Sequence, residues 1–310
     1  MLSLVFPGQG SQYIGMGKEF YESLPEVKTI FDQAEEITQI PVKRLCFEGP
    51  MEELTLTQNL QVCLTVVDLA CFKAVELTKK VSPEAVAGHS LGEYPALFAA
   101  GVLSLEDTLL AVKKRGEVMQ KAGGTRPSGM YAVIGCKEEL LEKFVNEANG
   151  LVVIANYNSP KQLVISGESP AVDEVAKLAK QSGARVVKLK VSAAFHSPLM
   201  QEAQEEFANF LESLTWKDPK VKFVSNVTGN FVSSAEEIKE LMKVQITSSV
   251  KWIDCVNHMF ESGINTFVEV GPKRVLTGLV SQILEGKDFT CLNVEKPEDV
   301  EKLLSYLPNN

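Results

Sequence analysis

The stretch Val86-Ala87-Gly88-His89-Ser90-Leu91-Gly92-Glu93 decides how the chain is read. A short apolar run over residues 85–87 ends in Gly-x-Ser-x-Gly, and residues 91–100 behind it read as a helix. Ser90 is therefore predicted on a tight strand-to-helix turn, the pattern of a nucleophile elbow. Gly88 and Gly92 leave room for the turn, the hydroxyl projects from it, and the first free N–H groups of the helix face any oxyanion that forms beside it. Pro95 fits a first helical turn, where its missing N–H had no partner to lose. Among 21 glycines such a pattern also arises by chance, so the rest of the chain has to support it.

At 310 residues the chain suits one large domain and a smaller one. Hydrophobic residues at 45% and charged residues at 23% are ordinary for a soluble globular protein. A net charge of −9 argues against general attraction to nucleic acid or anionic membranes, which need clustered positive charge. The opening Met1-Leu2-Ser3-Leu4-Val5-Phe6 has no basic flank and ends at Pro7, and no window reaches the ~18 apolar residues of a membrane span. A cytoplasmic protein without membrane contact is expected. Six cysteines without a Cys-x-x-Cys pair read as reduced, mostly buried thiols. The three histidines, His89, His196 and His258, lie far apart without a carboxylate cluster, so no metal site is expected.

Residues 3–6 read as a buried strand, and Pro7-Gly8-Gln9-Gly10-Ser11-Gln12 as a loop suited to presenting a backbone N–H. Its glycines lack the Gly-x-Gly-x-x-Gly spacing of a dinucleotide site. Residues 18–38 and 60–80 are predicted helices, the second with Leu60, Leu64, Val67, Cys71 and Val75 at core-facing steps. Ser104 is placed to cap a further helix running to about residue 121. The pattern then changes to strands at 130–134, 151–155, 162–166 and 185–188, with helices at 137–149 and 170–182. That order is βαββαβ, as in ferredoxin-like domains. Residues 128–190 are read as an insertion, entered through the 123–129 linker, into a discontinuous large domain of residues 1–127 and 191–310. The remainder alternates helices at 199–214 and 236–244 with strands at 222–226, 266–270 and 289–294. The fold class is α/β, with a mostly parallel sheet covered on both faces.

A serine hydroxyl is a poor nucleophile until a base takes its proton. His89 adjoins Ser90, but neighbours on a sharp turn point apart, and His258 falls in an ordinary amphipathic helix. His196 stands where the chain leaves the insertion, just before a helix that Ser197 can cap and Pro198 can begin, and is the candidate base. Asp107 and Asp173 lie between Ser90 and His196 in chain order, yet both are explained as acids at helix starts. A backbone carbonyl is the alternative partner for the imidazole. Arg115 interrupts a helix that otherwise presents Leu109, Val112 and Met119. It is either part of a solvated basic face or a planar fork that grips a substrate carboxylate.

Taken together, Phe6-Pro7-Gly8-Gln9-Gly10-Ser11-Gln12, the elbow from Gly88 to Glu93, Arg115-Gly116 with Met119-Gln120, Asn156-Tyr157-Asn158-Ser159-Pro160, Phe195-His196-Ser197-Pro198-Leu199-Met200, Gln245 ahead of Val250-Lys251-Trp252, and Glu269-Val270-Gly271-Pro272 with Val275-Leu276 resemble the malonyl-CoA:acyl carrier protein transacylase family of fatty acid synthesis, which shares motifs with polyketide synthase acyltransferase domains. The resemblance implies a hydrolase-like core carrying the ferredoxin-like subdomain, with the active site between them. It further implies that Ser90 is acylated and that His196 is its base, held by the main-chain carbonyl of Gln245. Backbone N–H groups of Gln9 and Leu91 would form the oxyanion hole, Arg115 would hold the malonyl carboxylate, and Gln61 and Asn156 would line the site. Val62 follows Gln61 where the family usually has proline. Implied substrates are malonyl-CoA and phosphopantetheinylated acyl carrier protein, with no permanently bound cofactor. An acidic carrier would need a local basic rim, for which Arg126, Lys188, Lys190, Lys273 and Arg274 are candidates. The rival readings are a serine thioesterase or esterase, a trans-acting polyketide acyltransferase, and a non-catalytic carrier-docking module.

Overall fold

Strands buried on both faces need nearly continuous apolar runs, and the first strand, β1 (Leu2–Phe6), is one of them. The computed structural model describes residues 1–124 and 126–307; Thr125 of the expected linker and residues 308–310 lie outside them. β1 lies between β2 (Ala85–Gly88) and the later strand Thr266–Val270, parallel to both. Side chains alternate across a strand, so Leu4 and Phe6 enter one core cluster while Val5 enters another on the opposite face. Helices Thr57–Leu77 and Glu93–Ala99 cover the first face, with Leu105–Ala122 packed on both of them, and Trp252–Glu261 and Val275–Ile283 contribute to the second.

The second body follows the βαββαβ order. Strands β3 (Ser128–Ile134), β4 (Val152–Ser159), β5 (Gln162–Glu168) and β6 (Arg185–Lys188) form an antiparallel sheet in the order β4-β5-β3-β6. Helices Glu138–Glu147 and Ser169–Gln181 contribute Leu141, Val172 and Val175 to its own small core. β7 (Lys222–Val224), β8 (Phe231–Val232), β9 (Thr266–Val270) and β10 (Thr290–Val294) complete the large sheet, ordered β10-β9-β1-β2-β7-β8. Only the β8 edge is antiparallel there, among the described residues. The two bodies meet where β4 borders Val250, whose N–H donates to the Ala155 carbonyl at 2.8 Å.

Register positions the site. Phe6 pairs with Gly88, and Val5 with Glu269, so the carboxyl ends of three neighbouring parallel strands finish together. The Pro7 loop, the elbow and the Gly271 turn consequently stand side by side at the edge where open α/β sheets hold their ligands.

Three expectations need correction. Residues 18–38 form two helices, Lys18–Ser23 and Pro25–Thr38, because Pro25 drives the preceding Leu24 out of the helical region to φ −123° and ψ 114°. The elbow helix opens with a tight 3₁₀ turn, Ser90–Gly92, before Glu93–Ala99. The strand expected over 222–226 stops at Val224 and turns back into β8, whose two residues are too few to show a periodicity.

Candidate active site

The elbow depends on its two glycines for close approach. A Cβ on Gly88 would stand 1.9 Å from the carbonyl carbon of Gly92, and one on Gly92 would stand 2.1 Å from the Phe6 oxygen. Ser90 itself is left-handed, with φ 52°, a conformation that costs an ordinary residue on the order of 1–2 kcal/mol. Asn226, two residues past β7, holds it there: its Oδ1 accepts the Ser90 N–H at 2.7 Å and its Nδ2 donates to the Gly88 oxygen at 2.7 Å. Sequence reasoning missed Asn226. Its signal, a polar residue immediately before Val227-Thr228-Gly229, looks like ordinary turn chemistry.

Ser90 Oγ lies 2.7 Å from His196 Nε2. The other ring nitrogen, Nδ1, lies 3.1 Å from the Gln245 carbonyl oxygen and 3.0 Å from that of Ser248. Carbonyls only accept, so Nδ1 carries the proton and Nε2 faces the serine as an acceptor. His196 is also left-handed, at φ 55°, and its N–H donates to the Ile246 oxygen. The two intermediate acids are occupied elsewhere: Asp107 Oδ2 accepts from Ser104 Oγ at 3.0 Å, and Asp173 accepts from the Tyr131 hydroxyl at 2.6 Å.

Burial, and next the nearby Arg115 cation, push the His196 imidazole down to about 3 from its ordinary 6.5. It stays neutral in the folded protein at pH values where the unfolded chain takes up a proton. Its contribution to stability is therefore complete above 6.5 and is lost as pH falls toward 3. Thermal unfolding between about pH 7.5 and 5.5 should show wild type losing more stability than His196→Asn, by at most about 1.4 kcal/mol per pH unit. Equal slopes would show that the imidazole does not differ between the two states.

Arg115 is only 1% exposed, which excludes a solvated basic face. Its Nη1 donates to Gln61 Oε1 at 2.8 Å, and its Nη2 to Gln245 Oε1 at 2.9 Å and to Ser90 Oγ at 3.1 Å. Its guanidinium sits 5.7 Å from the Tyr94 ring centroid. Among the described residues it has no ion pair, and its Nε has no hydrogen-bond partner. A buried cation held only by neutral acceptors has capacity for an anion.

These groups open onto a cleft of about 270 Å³ whose lining includes Gln9, Leu91, Asn156, Met130 and Val164. The two sheets thus face each other across it. Gln61, expected in the lining, instead lies behind Arg115, with its Nε2 turned to Met119 Sδ. His89 is fixed by Asn158, 2.7 Å from its Nε2, and against the edge of Trp252. His258 Nδ1 lies 2.6 Å from the Gly229 oxygen, and no group of His, Cys, Asp and Glu able to hold a metal occurs among the described residues. The five candidate rim cations are exposed. Lys190 and Lys273 flank a cavity beside Gln9 and Gly10, whereas Lys188 lies over the Tyr131 ring and Arg126 borders a separate cavity. No helix among the described residues is long and apolar enough to cross a membrane.

The chain matches the family model described as acyl transferase domain over residues 3–302. A malonyl CoA-acyl carrier protein transacylase of Bacillus subtilis is 40% identical over 310 residues, covering 99% of this chain and 97% of the relative. The solved malonyl CoA-acyl carrier protein transacylase of Coxiella burnetii superposes with a TM-score of 0.95 at 35% identity, covering 99% and 98% of the two chains. A malonyl-transacylase solved in complex with a type II PKS acyl-carrier protein gives 0.95 at 33% identity, covering 99% of both. With likeness in sequence and in fold running from end to end, the chain belongs to the acyl transferase family, among its malonyl CoA-acyl carrier protein transacylases.

Proposed function

We propose that the protein carries a malonyl group from malonyl-CoA to the phosphopantetheine thiol of an acyl carrier protein through a malonyl ester on Ser90. The observation that carries this reading is the buried, unpaired Arg115 guanidinium 3.1 Å from Ser90 Oγ, which is itself 2.7 Å from His196. His196 Nε2 takes the hydroxyl proton as Ser90 Oγ attacks the thioester carbonyl. The N–H groups of Gln9 and Leu91 receive the oxyanion, each contributing about 3 kcal/mol to the transition state. Collapse breaks the C–S bond, and His196 returns its proton to the departing CoA thiolate. The carrier thiol then reverses these steps, leaving Ser90 free.

The carbonyls of Gln245 and Ser248 fill the place of a triad acid by fixing the tautomer of His196. Asn156 borders the acyl group, while Gln61 supports Arg115 from behind. Residues 128–190 act as the small ferredoxin-like subdomain that closes one side of the cleft, with 1–127 and 191–310 as the large domain. The reaction needs no resident cofactor, and the protein works in the cytoplasm. A polyketide carrier is a second reading, favoured by the structural relative bound to one.

Transfer and hydrolysis separate in one experiment. Mixed with malonyl-CoA alone, the protein should release one equivalent of CoA and stop, then resume when phosphopantetheinylated carrier is added. Continued release without carrier would make it a thioesterase, and no release at all would make it a non-catalytic docking module.

A further inference from the structure

Glu93, the residue that opens the elbow helix, is completely buried, and the acyl-transfer reading leaves it without a role. Its two carboxylate oxygens meet two different donors: Oε1 accepts the Asn226 main-chain N–H at 2.9 Å, and Oε2 accepts from Gln245 Nε2 at 2.6 Å. The same Gln245 nitrogen donates to the Ser90 carbonyl oxygen at 2.8 Å, while Gln245 Oε1 receives Arg115 Nη2. The Gln245 main-chain carbonyl receives His196 Nδ1. One residue thus touches the nucleophile's backbone, the base and the guanidinium, and Glu93 together with the Ser90 carbonyl holds its NH₂ on their side, which leaves its oxygen to Arg115.

The chemistry of the position demands an acid. Both groups facing Glu93 are donors, so both of its outer atoms must accept, and a carboxylate alone among similarly sized side chains does that. Glutamine would present one NH₂, which must face either the Asn226 N–H or the Gln245 NH₂. If the Gln245 amide turned over to relieve this, its own NH₂ would face Arg115. Burial pushes the Glu93 carboxyl up to about 7, against the opposing pull of the Asn226 N–H, the Gln245 amide and Arg115, so at pH 8 it stands mainly as the carboxylate, one amide removed from the guanidinium.

We propose that Glu93 is a positioning residue that sets malonyl selectivity through the Gln245 side chain, by holding that amide oxygen on Arg115. This rests on the reading that Arg115 grips the acyl carboxylate. Loss of a residue that merely stabilised the fold would lower transfer of all acyl groups alike; loss of the Glu93 carboxylate lowers malonyl transfer more than acetyl transfer.

The test compares kcat/KM for malonyl-CoA and acetyl-CoA with saturating carrier, at about pH 8, in wild type, Glu93→Gln, Gln245→Met, the double variant and Arg115→Ala. Gln245→Met keeps the main-chain carbonyl for His196 and cuts the amide between Glu93 and Arg115, so it tests the idea even if Glu93→Gln does not fold. Glu93→Gln and Gln245→Met are each expected to lower the malonyl-to-acetyl ratio about tenfold, the scale of one hydrogen bond to a charged group. In the Gln245→Met background, Glu93→Gln should change that ratio by less than about twofold, since both act through one contact. An unchanged ratio in Gln245→Met or in a folded Glu93→Gln, or fully additive effects, overturns the proposal. Arg115→Ala separates the two levels: if it retains malonyl preference, the carboxylate-grip reading fails, whereas lost preference there with intact preference in Gln245→Met refutes the Glu93 proposal alone.

Discussion

Ser90→Ala should accumulate no radiolabelled malonyl on the protein after incubation with malonyl-CoA, and transfer to carrier should fall by roughly 10³ to 10⁶, the range seen when a serine nucleophile is removed. The structure makes the expectation sharp because the hydroxyl has no substitute. Ser90 Oγ is 2.7 Å from His196 Nε2, and Arg115 Nη2, donating to the same oxygen at 3.1 Å, favours the developing alkoxide. With alanine there, His196 and Arg115 remain oriented by the carbonyls and amides behind them, so the fold should persist and binding of malonyl-CoA should survive. Mass spectrometry of the intact protein reads the result directly. A malonyl adduct on the variant would mean that another residue carries the acyl group.

Arg115→Ala should invert the substrate preference rather than abolish chemistry. A guanidinium gripping a carboxylate through charged, parallel hydrogen bonds in a dry site discriminates by several kcal/mol, because acetyl leaves the cation without an anion. Malonyl kcat/KM should drop about 10²- to 10³-fold while acetyl transfer changes less than about tenfold. Arg115→Lys should not restore the preference, since a point charge on a flexible stem cannot reproduce the fork. Competition between malonyl-CoA and acetyl-CoA for one enzyme sample measures the ratio, and retention of the wild-type ratio in the alanine variant would remove Arg115 from the selectivity account.

What could be read in advance was whatever depends on short stretches. Gly88 and Gly92 announce a turn too tight for a Cβ, Ser104 announces a cap that indeed accepts the Asp107 N–H, and the βαββαβ order is visible because each strand and helix carries its own periodicity. Arg115 was ambiguous for the opposite reason. In Lys113-Lys114-Arg115 the three charges differ by about 100° of helix rotation each, and only the tertiary packing of Leu105–Ala122 against Thr57–Leu77 shows that the third points inward. Asn226 and Glu93 were invisible. Each is defined by donors and acceptors more than a hundred residues away, and no local pattern marks a polar side chain as buried. The second carbonyl on His196, from Ser248, belongs to the backbone and leaves no trace in side-chain identity.

The place of β1 in the sheet has a consequence for how the protein is made. Leu2–Phe6 is flanked by Ala85–Gly88 on one side and by Thr266–Val270 on the other, so this strand waits for one synthesised much later before its second edge is covered. Closing so long a loop costs little more than closing one half its length, but it cannot begin until the partner exists, and contacts this distant in sequence form slowly. Until then the Pro7 loop has no Gly271 turn beside it, and the Gln245 segment has only just been synthesised. A nascent or truncated chain is therefore expected to hold its serine without the machinery that makes it reactive.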